Sequence, residues 1–156
     1  MNKNYPQTII NKYDFILRKA EDNDYDFIFN LFKENMLESF QKHFGSWNEK
    51  SFGENYHQKN IRIIECENSS VGYVEFKFKD DYGYLISVQL LEKIRGKGLG
   101  TQIMKILEQE TLNHGLNKIH LKVFKDSRAV KLYERLEYKT IFEDDTSLIM
   151  EKILEK

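Results

Sequence analysis

The most informative stretch of this sequence is Arg95-Gly96-Lys97-Gly98-Leu99-Gly100. It follows the β-like run 84–91 and precedes apolar residues at helical spacing. A strand, a glycine-rich turn and a helix start predict a phosphate site, because the first N–H groups of a helix lack internal partners and carry the positive end of its dipole. Glycines let those amides approach an anion, and Arg95 and Lys97 are expected to add mobile positive charge.

Two common phosphate-binding templates do not fit this stretch. A Walker A loop needs Lys followed by Ser or Thr after its last glycine, and the dinucleotide fingerprint needs Gly-x-Gly-x-x-Gly, whereas the glycines here stand at 96, 98 and 100. The pattern Arg/Gln-x-x-Gly-x-Gly/Ala does fit. It resembles the acetyl-CoA loop of the GNAT family, the GCN5-related N-acetyltransferases, although a tight helix-entry turn on an unrelated fold would read similarly.

Composition indicates one packed globular domain over residues 1–156, with 1–12 expected to be a loosely ordered segment. Hydrophobic residues make up 40% of the chain, and 24 Lys and Arg against 25 Asp and Glu leave a net charge of −1, which gives no support for nucleic-acid or membrane-surface binding. The single cysteine, Cys66, excludes an intramolecular disulfide, and the four scattered histidines predict no metal site. No apolar leader or membrane-length run is visible, so a cytoplasmic protein is expected.

Hydrophobic patterning predicts an α+β fold with the order β-α-α-β-β-β-α-β-α-β-β. Its sheet should be mixed and largely antiparallel, flanked by about four helices, with one parallel strand–helix–strand crossover after the glycine loop. The predicted strands cover 13–19, 61–65, 71–79, 84–91, 118–124, 138–143 and 147–153, and the predicted helices cover 24–40, 49–58, 99–113 and 129–136.

A second motif strengthens the resemblance. Residues 123–138 are similar to the family's Val-Phe-x-x-Asn-x-x-Ala-x-x-Leu-Tyr-x-x-x-Gly-Phe, with Ala129, Leu132 and Tyr133 at the expected mutual spacing. With two motifs in the right order, the chain is identified as a member of the GNAT family over nearly its whole length.

This second motif departs from the family pattern in two ways. It is one residue shorter before the helix and has no Asn there, so Asp126 or Ser127 must take that place; either can cap the helix. Glu137 stands where the family usually has Gly, which is expected to change the turn at the end of the helix.

The resemblance implies acetyl-CoA as cosubstrate and assigns the residues that bind it. Pyrophosphate is expected on the amides from Arg95 through Thr101, with Asp126 and Ser127 also beside CoA. The pantetheine arm should pair with free main-chain groups of the preceding strand, and one main-chain N–H should face the thioester oxygen. The strand positions are Val88, which carries that N–H, and Leu90 and Leu91. Tyr133 matches the family tyrosine that protonates or orients the CoA sulfur; the alternative is an aromatic residue that only packs.

No general base can be assigned from the sequence. Tyr84 occupies the position where family members often have Glu or His, and Glu75, Glu65 and His120 are candidates that fit a solvated strand face equally well. Deprotonation through ordered water is the remaining route.

The amine acceptor is expected to bind at the two early helices and their connection. Aromatic and acidic residues are concentrated there: Met36, Phe40, His43, Phe44, Trp47, Phe52, Tyr56 and His57, with Glu38, Glu49 and Glu54. Most of the aromatics should belong to the core. The chain is therefore expected to acetylate a primary amine of a small molecule or peptide. The alternatives are an acyl-CoA-binding sensor without turnover and a nucleotide-binding domain of another family. A homodimer is common for the fold, but no sequence signal predicts one.

Overall fold

A computed structural model describes residues 8–10 and 13–155. Within them lie eight strands and four α-helices. The strands are β1 (Thr8–Ile10), β2 (Tyr13–Lys19), β3 (Ile61–Cys66), β4 (Ser69–Phe78), β5 (Gly83–Leu90), β6 (Lys118–Phe124), β7 (Lys139–Glu143) and β8 (Ser147–Ile153); the helices are α1 (Tyr25–Phe44), α2 (Glu49–Glu54), α3 (Leu99–Asn113) and α4 (Ala129–Arg135). Apart from β1, the segment 1–12 that was predicted to be loosely ordered lies outside the described residues.

The chain forms two compact units, and β4 and β5 contribute residues to both. The first unit comprises the described residues up to Glu75 together with Val88–Arg95. Strands β1 to β4 pair antiparallel in sequence order. One face of α1 packs on this sheet, because its apolar residues recur at helical spacing. The resulting core contains Ile28, Leu31, Ile61, Ile63 and Tyr73.

The second unit comprises residues 76–87 and those from Gly96 onward. Strand β5 pairs parallel with β6, β6 pairs antiparallel with β8, and β8 pairs antiparallel with β7, which ends the strand order. Helix α3 is the crossover between the two parallel strands. The predicted α+β class, with a mixed, mostly antiparallel sheet, is therefore confirmed.

Helix boundaries differ from the sequence prediction at two places. Helix α1 continues to Phe44, where Gly45 takes a left-handed φ of 78° and donates its N–H to Gln41 O. Helix α2 ends at Glu54 because Asn55 turns its side-chain amide back onto the carbonyl oxygen of Ser51 at 2.8 Å.

An ionic network fixes the start of α1 in the first unit. Arg18 donates to both carboxylate oxygens of Asp24 at 2.7 and 2.8 Å and also pairs with Glu65. Asp24 is buried, and hydrogen bonding from Arg18 lowers its pKa. The network compensates a charge that would otherwise be expensive to bury.

Cys66 ends β3 and is 7% exposed, and burial raises the pKa of its thiol. Among the described residues no three His, Cys, Asp or Glu side chains are grouped so that they could hold a metal ion. None of the helices in the described ranges has the length and apolar character needed to cross a membrane.

Candidate functional site

The N-terminus of α3 has main-chain amides that the helix itself does not use. Gly98 is the N-cap, the first helical turn contains no acidic residue, and among the described residues no side chain caps it. The first helical bond runs from Gln102 N–H to Gly98 O at 3.2 Å, so the amides of the three preceding residues, 99–101, are not bonded within the helix. The positive end of the dipole of a 15-residue helix therefore points into this turn.

The three glycines of this turn are there for two different physical reasons. Gly96 and Gly98 have φ values of 76° and 86°, in the left-handed region that other residues resist. Gly100 lies inside the helix, where a Cβ would stand 3.1 Å from a side-chain carbon of Leu132 on α4. Two glycines shape the turn, and the third lets α4 approach. Lys97 and both turn glycines are exposed.

Arg95 differs from the mobile cation expected from the sequence. Its guanidinium group donates to the side-chain oxygen of Asn35 on α1 and, at 3.4 Å, to the carbonyl oxygen of Leu90. Asn35 in turn donates to the same Leu90 oxygen at 3.2 Å and to the side chain of Gln89 at 3.1 Å. Arg95 therefore joins the end of β5 to α1, a contact across 60 residues of sequence.

The end of β5 was expected to offer free main-chain groups, and two of these groups already have partners. Leu91 donates its N–H to Val71 O at 2.9 Å, and the Leu90 oxygen accepts the bonds just described. The strands approach closely here, since a Cβ at Gly72 would collide with the carbonyl oxygen of Gln89. Val88 lies on β5 before these bonds, and its assigned role remains a prediction.

Tyr133 lies on α4 and is 7% exposed. Its ring meets that of Tyr138 edge to face, with centroids 5.9 Å apart, and its main-chain oxygen accepts from Tyr138 N–H at 2.9 Å. Burial raises the pKa of Tyr133 to about 12. Its phenol is therefore neutral near pH 7 and suits the donor of a proton or hydrogen bond, not a base.

Ser127 bonds to the first turn of α4, whose N-cap is Arg128. Its hydroxyl accepts the N–H of Ala129 at 3.1 Å, and its main-chain oxygen accepts that of Val130 at 3.2 Å. Asp126 is exposed. Contact of Asp126 or Ser127 with CoA remains a prediction.

The candidate bases have different surroundings. Glu65 belongs to the ionic network of Arg18, and Glu75 lies opposite Ile61 in the β3–β4 register. His120 is placed by a carboxylate: one ring nitrogen is 2.6 Å from Glu151, the residue opposite it on β8.

The imidazole of His120 has two aromatic neighbours in the second unit. It stacks on the ring of Tyr82 with centroids 4.0 Å apart, and Tyr84 is opposite His120 in the parallel β5–β6 register. Burial raises the pKa of Tyr84. Among these candidates, a ring oriented by a carboxylate is the arrangement typical of a histidine base.

The two early helices carry a connected set of aromatic rings. Phe29 contacts Trp47 at 5.6 Å and Phe52 at 5.3 Å between centroids, and Tyr25 contacts Tyr56 at 4.8 Å. These side chains are half-buried. Burial raises the pKa of Tyr56 to about 12.

The remaining residues predicted for acceptor binding range from half-buried to exposed, and some are already paired. Phe44 is 58% exposed, and His43 and Met36 are half-buried. Two of the acids have cations from the same unit beside them: Glu49 lies 2.8 Å from Lys33, and Glu54 lies 3.9 Å from Lys50.

Sequence reasoning did not single out Asn35 or Glu151. Asn35 follows Leu31 by one helical turn, so it lies on the apolar face of α1. A polar residue at that position could have indicated a hydrogen-bonding role. Glu151 carried no such signal, because its place opposite His120 depends on strand register.

Comparisons with known proteins agree with the fold and the motifs. A family model described as the acetyltransferase (GNAT) family matches residues 25–138, more than half of the chain. An N-alpha-acetyltransferase of Saccharolobus solfataricus is 27% identical over 142 residues, covering 82% of each chain. The uncharacterized N-acetyltransferase YobR of Bacillus subtilis is 37% identical over 65 residues, but this match covers 41% of our chain and only 26% of YobR.

A solved structure shows the same fold. The PaiA N-acetyltransferase of Thermoplasma acidophilum, determined with coenzyme A, superposes with a TM-score of 0.75 at 17% identity, over 89% of this chain and 98% of that one. Acetyl-CoA is the cosubstrate of the family whose model matches. The chain belongs to the GNAT family of acetyltransferases.

Proposed function

We propose that this protein transfers the acetyl group of acetyl-CoA to a primary amine. The observation that carries the proposal is the start of α3, where Gly96 and Gly98 hold a left-handed turn in front of unbonded helix amides. Such a turn suits a diphosphate, since several N–H donors converge without side chains in the way.

The chain supplies the binding groups and the proton donor. The amides from Gly96 to Thr101 would bind the diphosphate, whereas the Arg95 N–H, also expected there from the sequence, already donates to Glu92 O at 3.1 Å. The Val88 N–H would donate to the thioester oxygen. Acetyl-CoA supplies the thioester: the amine nitrogen forms the new C–N bond as the C–S bond breaks. Tyr133 would donate a proton or hydrogen bond to the departing sulfur, because its phenol keeps its O–H near pH 7; its raised pKa favours the hydrogen bond over full proton transfer.

The proton lost by the amine needs an acceptor, for which His120 is the candidate with the best supporting geometry. Glu151 fixes its ring at 2.6 Å and favours one tautomer. Replacing Glu151 by Gln would keep the size of the side chain and remove its charge. If His120 acts as the base, this change lowers kcat and shifts its pH profile, whereas a structural pair would alter stability alone.

The acceptor class is proposed as a small-molecule or peptide amine. The Saccharolobus relative is named an N-alpha-acetyltransferase, which makes peptide α-amines the first class to test. Half-buried rings at α1 and α2 would suit an apolar side chain next to the amine.

An acyl-CoA-binding sensor without turnover is the second candidate. It is favoured by the end of β5, where the Leu90 oxygen and the Leu91 N–H are already bonded within the chain. Those groups were expected to hold the pantetheine arm.

Thermal-shift measurements with acetyl-CoA, CoA, ATP and NAD, followed by thiol-release assays over amines and peptides, separate these functions. An acetyltransferase is stabilised by both forms of CoA and releases thiol with some acceptor. A sensor is stabilised but releases none. Stabilisation by ATP or NAD alone would contradict both.

A further inference from the structure

Residues 90–95 form a short turn that leads from β5 into the glycine loop. The N–H groups of Ile94 and Arg95 donate to main-chain oxygens within the turn, at 3.0 and 3.1 Å. The Arg95 guanidinium reaches back to the carbonyl oxygen of Leu90 at 3.4 Å, so the last residue of the turn is bonded to the first. Gly96 follows Arg95 in the chain, and the position of Arg95 therefore decides where the glycine loop starts.

Asn35 on α1 contacts both ends of this turn with one side-chain amide. Its nitrogen donates to the Leu90 oxygen at 3.2 Å and to the side-chain oxygen of Gln89 at 3.1 Å. Its oxygen accepts from the Arg95 guanidinium. The orientation of the amide follows from these partners, because an arginine side chain only donates and a carbonyl oxygen only accepts. All of these residues belong to the first unit.

The contact requires a carboxamide at position 35. Asn35 supplies two N–H donors and one acceptor, a set that only the side chains of asparagine and glutamine offer. An aspartate of the same size would keep an acceptor for Arg95, but it would present a charged oxygen to the carbonyl of Leu90. The Leu90 oxygen accepts from both Asn35 and Arg95, so its two lone pairs are used and the carbonyl is held from two directions.

We propose that Asn35 is a positioning residue for acetyl-CoA: it bonds Leu90 and Arg95 at once and so fixes the turn to which the glycine loop is attached. This inference rests on the proposed function. It gives the Arg95 side chain a role in shaping the loop entry and not in contacting the diphosphate, because acceptors of its own chain already hold the guanidinium group. Binding of the cosubstrate then depends on a residue of α1 that does not touch it.

Asn35→Asp tests this role with a side chain of the same size. Calorimetry should show the dissociation constants of acetyl-CoA and of CoA both raised about tenfold, because the two ligands share the diphosphate. With an acceptor from the thiol-release assays, KM for acetyl-CoA should rise by a similar factor while kcat and the KM of the amine stay within about twofold. A general loss of structure would lower kcat as well.

The matched control is Asn30→Asp, the same change at an exposed position of the same helix. It should leave affinity and kinetics unchanged. Asn35→Ala is the second variant: it removes all the bonds of the amide and should weaken binding at least as much as Asn35→Asp. Circular dichroism checks that each variant is folded.

Arg95→Met distinguishes action through the turn from direct contact with the diphosphate. If Arg95 acts through the turn, Arg95→Met should weaken binding about as much as Asn35→Ala, and the double variant N35A/R95M should bind no more weakly than either single variant. Its affinity should also fall with added salt as steeply as that of the wild type, since the ligand has lost no charged partner.

Unchanged or tighter binding of acetyl-CoA by folded Asn35→Asp and Asn35→Ala would overturn the proposal. So would losses that add in the double variant, or a weaker salt dependence in Arg95→Met, because both would indicate that the guanidinium group contacts the ligand. A wild type that binds neither form of CoA would refute the proposed function together with this role, whereas unaffected variants of a wild type that binds CoA would refute this role alone.

Discussion

Helices α3 and α4 begin in opposite ways. Helix α3 follows Gly98 with no side-chain cap among the described residues, whereas α4 begins with the Ser127 hydroxyl on the N–H of Ala129. The first start leaves donors for a ligand, whereas at the second Ser127 accepts the N–H groups of Ala129 and Val130. A glycine at an N-cap gives up a stabilising side-chain bond, so the open start of α3 fits a site where an anion takes the place of the cap.

The groups on which the proposed function rests also differ between α3 and α4. At α3 the proposed function rests on main-chain groups, which no side-chain change can remove directly. At α4 it rests on one phenol, that of Tyr133. Substitutions can therefore test the start of α3 and the phenol on α4 separately.

The largest effect is expected from Gly98→Glu. The new side chain would place a negative charge and a Cβ at a φ of 86°, in front of the α3 amides. We expect the dissociation constant of acetyl-CoA to rise at least about 100-fold, measured by calorimetry, and thiol release to be lost.

Gly115→Glu is the matched control for that change. Gly115 has a φ of 85°, is exposed, and lies at the opposite end of the same helix. The control should lose similar stability and still bind acetyl-CoA. Normal acetyl transfer by Gly98→Glu would contradict the assignment of the loop.

Tyr133→Phe should separate chemistry from binding. Removing the proposed proton donor should lower kcat about 100-fold and leave the affinity for acetyl-CoA within about twofold. Tyr138→Phe removes the hydroxyl of the neighbouring ring, which is buried with no hydrogen-bond partner among the described residues. Steady-state kinetics should show little change in this control. Equal loss of kcat in both variants would indicate a packing effect.

Alkaline pH should destabilise the protein through its buried tyrosines. In the unfolded chain tyrosine ionises near 10.0, whereas burial raises the pKa of Tyr133 and of Tyr56 to about 12. Because the folded pKa is the higher one, this contribution is complete below pH 10 and is lost as pH rises toward 12. For Tyr133, the more deeply buried of the two, this contribution is about 1.4 kcal/mol per unit of difference. At half-buried Tyr56 solvent screening makes it smaller.

Melting temperatures between pH 8 and about 11.5 measure this loss. Tyr133→Phe should flatten the curve over that window. A wild-type melting temperature that does not fall above pH 10 would contradict the burial of these phenols.

Ser127→Ala tests whether the start of α4 is only structural. Losing the hydroxyl that accepts the Ala129 N–H should lower the free energy of unfolding by about 1 kcal/mol, measured in urea. Ser127→Thr keeps a hydroxyl and should retain most of the free energy of unfolding that Ser127→Ala loses. Affinity for acetyl-CoA should stay within about twofold; a larger loss would show that Ser127 contacts the cosubstrate.

The smallest expected change in stability concerns the C-terminal ends of α3 and α4. Both helices finish with the same pair of bonds: Leu116 to Thr111 O and Gly115 to Leu112 O in α3, and Tyr138 to Tyr133 O and Glu137 to Glu134 O in α4. The residue in the left-handed position is glycine in the first and Glu137, with a φ of 72°, in the second. We expect Glu137→Gly to raise the free energy of unfolding by about 0.5–1 kcal/mol.

Gly115→Ala is the converse control and should lower the free energy of unfolding by about 1 kcal/mol. Chemical denaturation of both variants measures these two changes in the free energy of unfolding. A destabilised Glu137→Gly variant would mean that the Glu137 side chain contributes more than its backbone strain removes.

Patterns local in sequence predicted most of the fold. Alternation located the strands, and Gly45 and Gly115 marked helix ends, because a left-handed residue is needed where each helix stops. The end of α2 was placed too late, since the bond from Asn55 to Ser51 depends on a side-chain orientation that hydrophobic patterning does not show.

The candidate site was less predictable where it depends on distant residues. The glycine turn is contiguous in the sequence, so it could be predicted from the sequence alone. The contact of Arg95 with Asn35, and the pairing of His120 with Glu151, join residues 60 and 31 positions apart, so only the folded chain brings them together. For the same reason the partners of Leu90 and Leu91 were not foreseen.

Cys66 makes the proposed reaction unusually easy to follow. A colorimetric thiol reagent reacts with the thiolate form of an accessible cysteine, and the only such side chain in the sequence is covered and poorly ionised. Any colour that develops in the native state then reports liberated CoA with almost no background from the protein. The same reagent, added under denaturing conditions, counts protein molecules one for one.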